Sequence, residues 1–186
     1  VKLSSANSIN WGRLVPQIVY YFSAYADLLE KGTIAAGEAV DFCVPTGNFG
    51  DILAGYYAKR MGLPVAKLIC ASNSNNVLTD FLQTGVYDKK RDFYKTISPS
   101  MDILISSNLE RLLYHETQDA ALVRGWMEEL AATGRYEVGE TVLQNLKETF
   151  WAGWVDDAAT KATIREVYEK EHYVLDTHSA VAYRVA

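Results

Sequence analysis

Val44-Pro45-Thr46-Gly47-Asn48-Phe49-Gly50-Asp51 concentrates the residue types that can hold an anion with main chain alone. Two glycines, an asparagine and a threonine separate an apolar run at 39–44 from a helical pattern. That pattern starts at about Asp51 and continues through Ile52, Leu53, Tyr56 and Tyr57. A glycine-containing loop that leaves a strand and enters a helix exposes backbone N–H groups at the positive end of the helix dipole, which suits a phosphate. The same Gly-x-x-Gly spacing also occurs as a plain turn, because glycine accepts φ > 0. Spacing alone leaves both readings open. A P-loop is excluded by the lack of Gly-Lys-Ser/Thr, and the dinucleotide fingerprint by the lack of G-x-G-x-x-G.

A second polar group, Ser5-Ala6-Asn7-Ser8-Ile9-Asn10-Trp11-Gly12-Arg13, stands at the entry to a long amphipathic pattern. Asn7, Ser8 and Asn10 supply side-chain donors and acceptors, and Arg13 offers a planar fork for carboxylate or phosphate. A helix N-cap needs one such residue, Ser8 or Asn10. The remainder exceeds that need and reads as a ligand-binding segment. Asp176-Thr177-His178-Ser179 precedes a helix of small residues and reads, alone, as a cap by Asp176 or Ser179. Ser98-Pro99-Ser100-Met101-Asp102-Ile103 and Ser106-Ser107-Asn108-Leu109-Glu110-Arg111 read as turn plus cap, with Arg111 solvated.

The elements that must position these groups follow from apolar spacing. Leu14, Ile18, Val19, Phe22, Tyr25, Leu28 and Leu29 recur at helical spacing over 11–29, with Pro16 in the first turns and Lys31-Gly32 as the stop. A strand at 39–45, the glycine loop and a helix at 51–61 come next. Met61-Gly62-Leu63-Pro64 is a helix stop, and 65–71 is a second apolar strand. Asn73 or Ser74 can cap a helix at 76–84, which Gly85 closes. Near-continuous apolar strands alternating with helices predict a parallel sheet covered on both faces, with ligands at the carboxyl ends of its strands. The glycine loop lies at that edge. Asp88-Lys89-Lys90-Arg91-Asp92 reads as a solvated loop. The second half reads as helical, over about 107–115, 118–132, 139–149 and 157–171, with a last segment near 177–180.

The chain of 186 residues fits one domain, or one and a half, and its 49% hydrophobic content argues against disorder. A net charge of −5 gives no reason to expect nucleic acid. No apolar run is long enough for a membrane span. Val1 to Ser5 lack a signal-peptide core. Cys43 and Cys70 read as reduced thiols on neighbouring strands, consistent with a cytoplasmic protein. Three histidines without C-x-x-C give no metal motif. Polar residues lead straight into the first helix and the chain stops within the last one, so the ends read as those of a piece of a longer polypeptide.

Together these segments resemble threonine synthase, a pyridoxal-phosphate enzyme of fold type II. The stretches that carry the resemblance are SSANSINWGRLVPQIVYYF (4–22), VPTGNFGDILAGYYAKRMGLP (44–64), FLQTGVYD (81–88), SPSMDILISSNLERLL (98–113) and DTHSAVAY (176–183). The resemblance implies an α/β fold: part of a doubly wound parallel sheet, with 1–85 and 175–186 as cofactor-domain core and 86–174 as a mostly helical extension. It implies conversion of O-phospho-L-homoserine and water to L-threonine and phosphate, by β,γ-replacement on pyridoxal phosphate. It assigns Thr46, Gly47, Asn48, Phe49 and Gly50 to the cofactor phosphate, and Ser179 to the pyridine nitrogen. It assigns Asn7, Ser8, Asn10 and Arg13 to the substrate side. The family carries Pro-His-Thr where Thr177-His178-Ser179 stands here. Its Schiff-base lysine lies in a Phe-Lys-Asp context, which this sequence lacks. The expectation is therefore a chain inactive by itself, missing the remainder of its parent and open to self-association through an exposed sheet edge. Two other readings remain at this point: a stand-alone phosphate-binding α/β module, and part of a related threonine dehydratase or cysteine synthase.

Overall fold

The computed structural model describes residues 7–186. Residues 1–6, which include Lys2 and the Ser5-Ala6 start of the polar group before the first helical pattern, lie outside the described residues. Helix α1 spans Trp11–Glu30, strand β1 Val40–Pro45, helix α2 Gly50–Arg60, strand β2 Val65–Ser72 and helix α3 Val77–Thr84. Strand β3, Val86–Asp88, is followed by a single 3-10 turn at Pro99–Met101. Then come α4 (Leu109–Thr117), α5 (Ala120–Thr133), β4 (Arg135–Glu137), α6 (Glu140–Thr149), β5 (Phe150–Trp154), α7 (Asp157–Glu171) and α8 (Thr177–Val185).

The main sheet is parallel, in the order β1-β2-β5. Pro45 is registered with Ala71, and Ser72 with Trp154, so the three carboxyl ends lie along one edge. Alternation along the strands separates two cores. Val44, Leu68, Cys70 and Ala152 belong to the larger one, with α1 to α6; Ala71 joins Met101, Val181 and Ala182 of α8 in the smaller one, against Cys43. Covering both faces is what near-continuous apolar strands require. Cys43 and Cys70 are free thiols on adjacent strands, and burial pushes them up to about 11 and about 12.

Close approach fixes α1 on α2. A Cβ at Gly55 would lie 2.6 Å from the ring of Tyr21 and 2.9 Å from Leu68. The Tyr21 hydroxyl donates to the Asp51 carbonyl at 2.9 Å, which anchors the first turn of α2 to α1. A second anchor comes from the β3–β4 ribbon. Tyr87 and Tyr136 stack at 5.3 Å, with rings 6° from parallel, beside Phe81 and Trp126.

Four sequence expectations are corrected here. The second half is not only helical, since Phe150–Trp154 completes the parallel sheet and Arg135–Glu137 pairs with β3. The stretch 86–174, mostly helical as expected, thus also supplies one strand to the parallel sheet. β5 follows α6 with no turn residue between, and five residues are too few to show a period. Neither Asn73 nor Ser74 caps α3. Asn73 instead donates to Ser98 Oγ, Thr96 Oγ1 and Asp102 Oδ1, tying the end of β2 to the 94–102 loop. The charge run is not simply solvated, because Arg91 bonds Asp80 at 2.8 Å and Asn76 at 3.0 Å. Nor is Arg111 solvated: its Nη2 donates to the Ile9 carbonyl at 2.7 Å and its guanidinium stands 5.7 Å from the Trp11 ring.

Candidate functional site

The carboxyl end of β1 opens into a cavity of about 380 Å³. One wall is the loop and first turn of α2, from Pro45 to Ile52; another is the entry to α1, with Asn7, Ser8, Arg13 and Gln17; Ser100 closes a third side. Two polar segments well separated in sequence thus share one hollow, at the sheet edge where parallel α/β folds bind ligands.

In the loop, the carbonyls are occupied and the amides are open. The Gly47 carbonyl accepts from Ser106 Oγ at 2.9 Å. The Asn48 carbonyl accepts twice from Asn108, from its N–H at 3.1 Å and its Nδ2 at 2.9 Å. The Phe49 carbonyl accepts from Leu53 N–H at 3.2 Å. By contrast, the N–H groups of Gly47, Asn48, Phe49, Gly50, Asp51 and Ile52 meet no hydrogen-bond acceptor among the described residues. All six residues line the cavity. Orphan donors at a helix start are ordinarily closed by a side-chain cap. At α2 the N-cap is Phe49, which has no oxygen to offer.

Phe49 holds φ 63° and ψ 9°, left-handed backbone that costs a non-glycine residue of order 1 kcal/mol. Its side chain, 1% exposed, packs 5.7 Å from the Phe150 ring, so the missed strand β5 helps hold this conformation. A left-handed residue beside right-handed ones turns successive N–H groups toward one concave side, an anion-binding arrangement. Glycine is needed at 47 for a different reason: a Cβ there would lie 2.6 Å from the Ser100 carbonyl oxygen. At Gly50 a Cβ would meet nothing closer than 3.5 Å, so space does not demand glycine there. The amide of Thr46 is also not part of the open set. It donates to the Ala71 carbonyl at 2.8 Å, and the Thr46 hydroxyl to Val44 at 2.7 Å.

Asp51 is the one carboxylate lining this cavity. Burial raises it above the usual carboxylate range, and the Tyr21 hydroxyl beside it offsets part of that rise. Of the four residues that the resemblance assigns to the substrate side, Asn7, Ser8 and Arg13 line the cavity, whereas Asn10 caps α1 by accepting from Gly12 N–H at 2.8 Å. Ser179 does not line it. Its hydroxyl donates to the Asp176 carboxylate, which caps α8 and holds His178 Nδ1 at 3.3 Å; His178 Nε2 accepts from Ser100 N–H at 3.3 Å. The start of α8 is thus joined to the cavity wall through Ser100. In sequence, Ser100, Ser106 and Asn108 read only as turn and cap residues. Three polar residues at 106–108 exceed one cap, which is the argument that singled out 7–13 and the signal that could have found them.

No protein-family model matches the chain. Curated relatives do. The chain is 50% identical over 186 residues to human threonine synthase-like 1, covering 99% of itself and 25% of that protein. It is 44% identical over 193 residues to threonine synthase of Eremothecium gossypii, covering 96% of itself and 37% of that enzyme. The PLP-bound threonine synthase of Brucella melitensis superposes with a TM-score of 0.93 at 50% identity, over 99% of this chain and 39% of that one. Along its length, this chain is homologous to one segment of threonine synthases. It spans about a quarter to two fifths of the threonine synthases it matches. The α/β fold with its parallel sheet is that of the threonine synthase structures. Among the described residues, no helix is long and apolar enough to cross a membrane, and no cluster of three His, Cys, Asp or Glu is placed to hold a metal ion.

Proposed function

We propose that this chain is the part of a threonine synthase that grips the phosphate of pyridoxal 5′-phosphate and, across the same cavity, the phosphate of O-phospho-L-homoserine. The parent's reaction is then conversion of phosphohomoserine and water to L-threonine and phosphate. The supporting observation is the row of six open N–H groups at an uncapped helix start, with Arg13 lining the same cavity. These donors fit a phosphate dianion, and about 380 Å³ accommodates a small cofactor. When bound, the cofactor supplies the electron sink for proton loss at the substrate carbon chain.

In this reading Gly47 to Ile52 hold the cofactor's phosphate end, while Asn7, Ser8 and Arg13 hold the substrate, with Arg13 as a fork for its phosphate. Ser179 serves the pyridine nitrogen by exchanging Asp176 for it. The lysine that binds the cofactor covalently is supplied by the remainder of the parent, since among the described residues no lysine lines the cavity and the sequence has no Phe-Lys-Asp; the chain alone is then inactive. Two free thiols suit a reducing compartment, the cytoplasm. Strand β1 ends the sheet, so its outer edge in an isolated chain would favour self-association. A related dehydratase is the weaker reading, because it has no substrate phosphate for Arg13.

Substitution Arg13→Ala in the full-length parent tests the assignment. Phosphohomoserine KM should rise by at least about tenfold, the loss of one charge-assisted anion contact. Cofactor affinity should stay nearly constant. Equal losses of both would place Arg13 at the wrong phosphate.

A further inference from the structure

We infer that Ser106 and Asn108 are positioning residues for the phosphate cradle, acting through the carbonyls of Gly47 and Asn48. This rests on the reading of Gly47 to Ile52 as an anion site.

Peptide geometry couples each carbonyl to the N–H that follows it. A trans peptide unit is planar, and its C=O and N–H point in opposite directions. Ser106 Oγ fixes the Gly47 carbonyl, so the Asn48 N–H in the same unit must point the other way. Asn108 fixes the Asn48 carbonyl with two donors, and thereby the Phe49 N–H. The middle of the cradle is therefore aimed from behind, by side chains that touch no part of the cavity.

Both clamps are themselves fixed. Ser106 N–H donates to the buried Tyr87 hydroxyl at 2.8 Å, so the β3–β4 aromatic stack sets its place. Asn108 is 0% exposed, and its Nδ2 also donates to the Ser8 carbonyl at 2.9 Å. One amide group thus holds the cofactor loop and the substrate-side segment together, and Arg111 adds a bond to the next carbonyl, that of Ile9. Asn108 Oδ1 is buried with no partner. Turning the amide over would satisfy neither end, since it would set that oxygen against two carbonyl oxygens. An orphaned buried acceptor is a cost that folding tolerates where the other end of the group is needed.

The test titrates pyridoxal 5′-phosphate and, separately, pyridoxal into the 186-residue chain and its variants, following cofactor absorbance. The unsubstituted chain should prefer the phosphorylated form. Ser106→Ala should narrow that preference about threefold to tenfold, the worth of one aimed hydrogen bond, with pyridoxal affinity unchanged. Asn108→Ala should narrow it further; if that variant does not fold by circular dichroism, Ser106→Ala decides alone. An unchanged preference in Ser106→Ala overturns the positioning role while leaving the cradle standing. No preference in the unsubstituted chain removes the cradle itself.

Discussion

Helices α2 and α8 begin on either side of Ser100, and their first turns are built in opposite ways. At α8 the carboxylate of Asp176 accepts from His178 and Ser179 N–H groups at 2.9 and 3.2 Å, and the positive end of the helix already faces a negative charge. At α2 the cap position is filled by a left-handed phenylalanine and the N–H row stays open. Equal dipoles therefore have unequal uses: one start is satisfied from within the chain, and the other is left for an outside anion. A helix start is informative about function when the cap is withheld, not simply when glycines precede it.

The largest way to break this contrast is at Gly47. Gly47→Val drives side-chain carbon into the Ser100 carbonyl, displacing the loop on which three of the open amides, those of Gly47, Asn48 and Phe49, stand. Phosphate affinity, read by calorimetry, should fall by about a hundredfold or more, the worth of several charge-assisted bonds. Gly50→Ala, where a Cβ has room, should bind nearly as the unsubstituted chain does. Equal damage at both positions would mean that the loop works as a flexible turn.

Legibility of the site followed the same line. The glycine loop and the 7–13 segment were visible in sequence because residue types needed for polar work stood out from apolar patterns. That Phe49 would take the left-handed position was not visible, because Gly47 and Gly50 flank it and tertiary packing, not local preference, chose it. The placing of Phe150 behind it was hidden as well, since β5 is short and abuts α6. The roles of Asn73, Ser106 and Asn108 depend on partners between 19 and 100 residues away, beyond any local pattern. At 177–179 the simple reading, a cap by Asp176, describes what the structure shows for the Ser179 hydroxyl.

A charge test sharpens the contrast from within the cavity. Burial raises Asp51, so folding disfavours its ionised form. The sign follows: the penalty is absent at pH below the unfolded carboxyl's value and complete above the folded one, so the group's contribution to stability is lost as pH rises. Asp51→Asn should therefore strengthen phosphate binding about threefold to tenfold near neutral pH by removing a like charge, and the gain should fade in acid. A gain independent of pH would assign the effect to packing.

The smallest effect is expected at the closed helix start. Asp176→Ala removes the α8 cap at a cost of about 1 kcal/mol, lowering Tm by about 2–4 °C. Phosphate affinity should change little, because α2 supplies the donors. A marked loss of binding with unchanged Tm would put the anion at α8 instead.

The most direct measurement is a titration of the ¹⁵N-labelled chain with pyridoxal 5′-phosphate, following backbone amides by NMR. The largest downfield shifts should fall on Gly47 to Ile52, with smaller shifts at His178 and Ser179 as the Ser179 hydroxyl exchanges Asp176 for the pyridine nitrogen. Shifts centred on 178–179, or an undisturbed Gly47 to Ile52 row in the presence of bound cofactor, would contradict it.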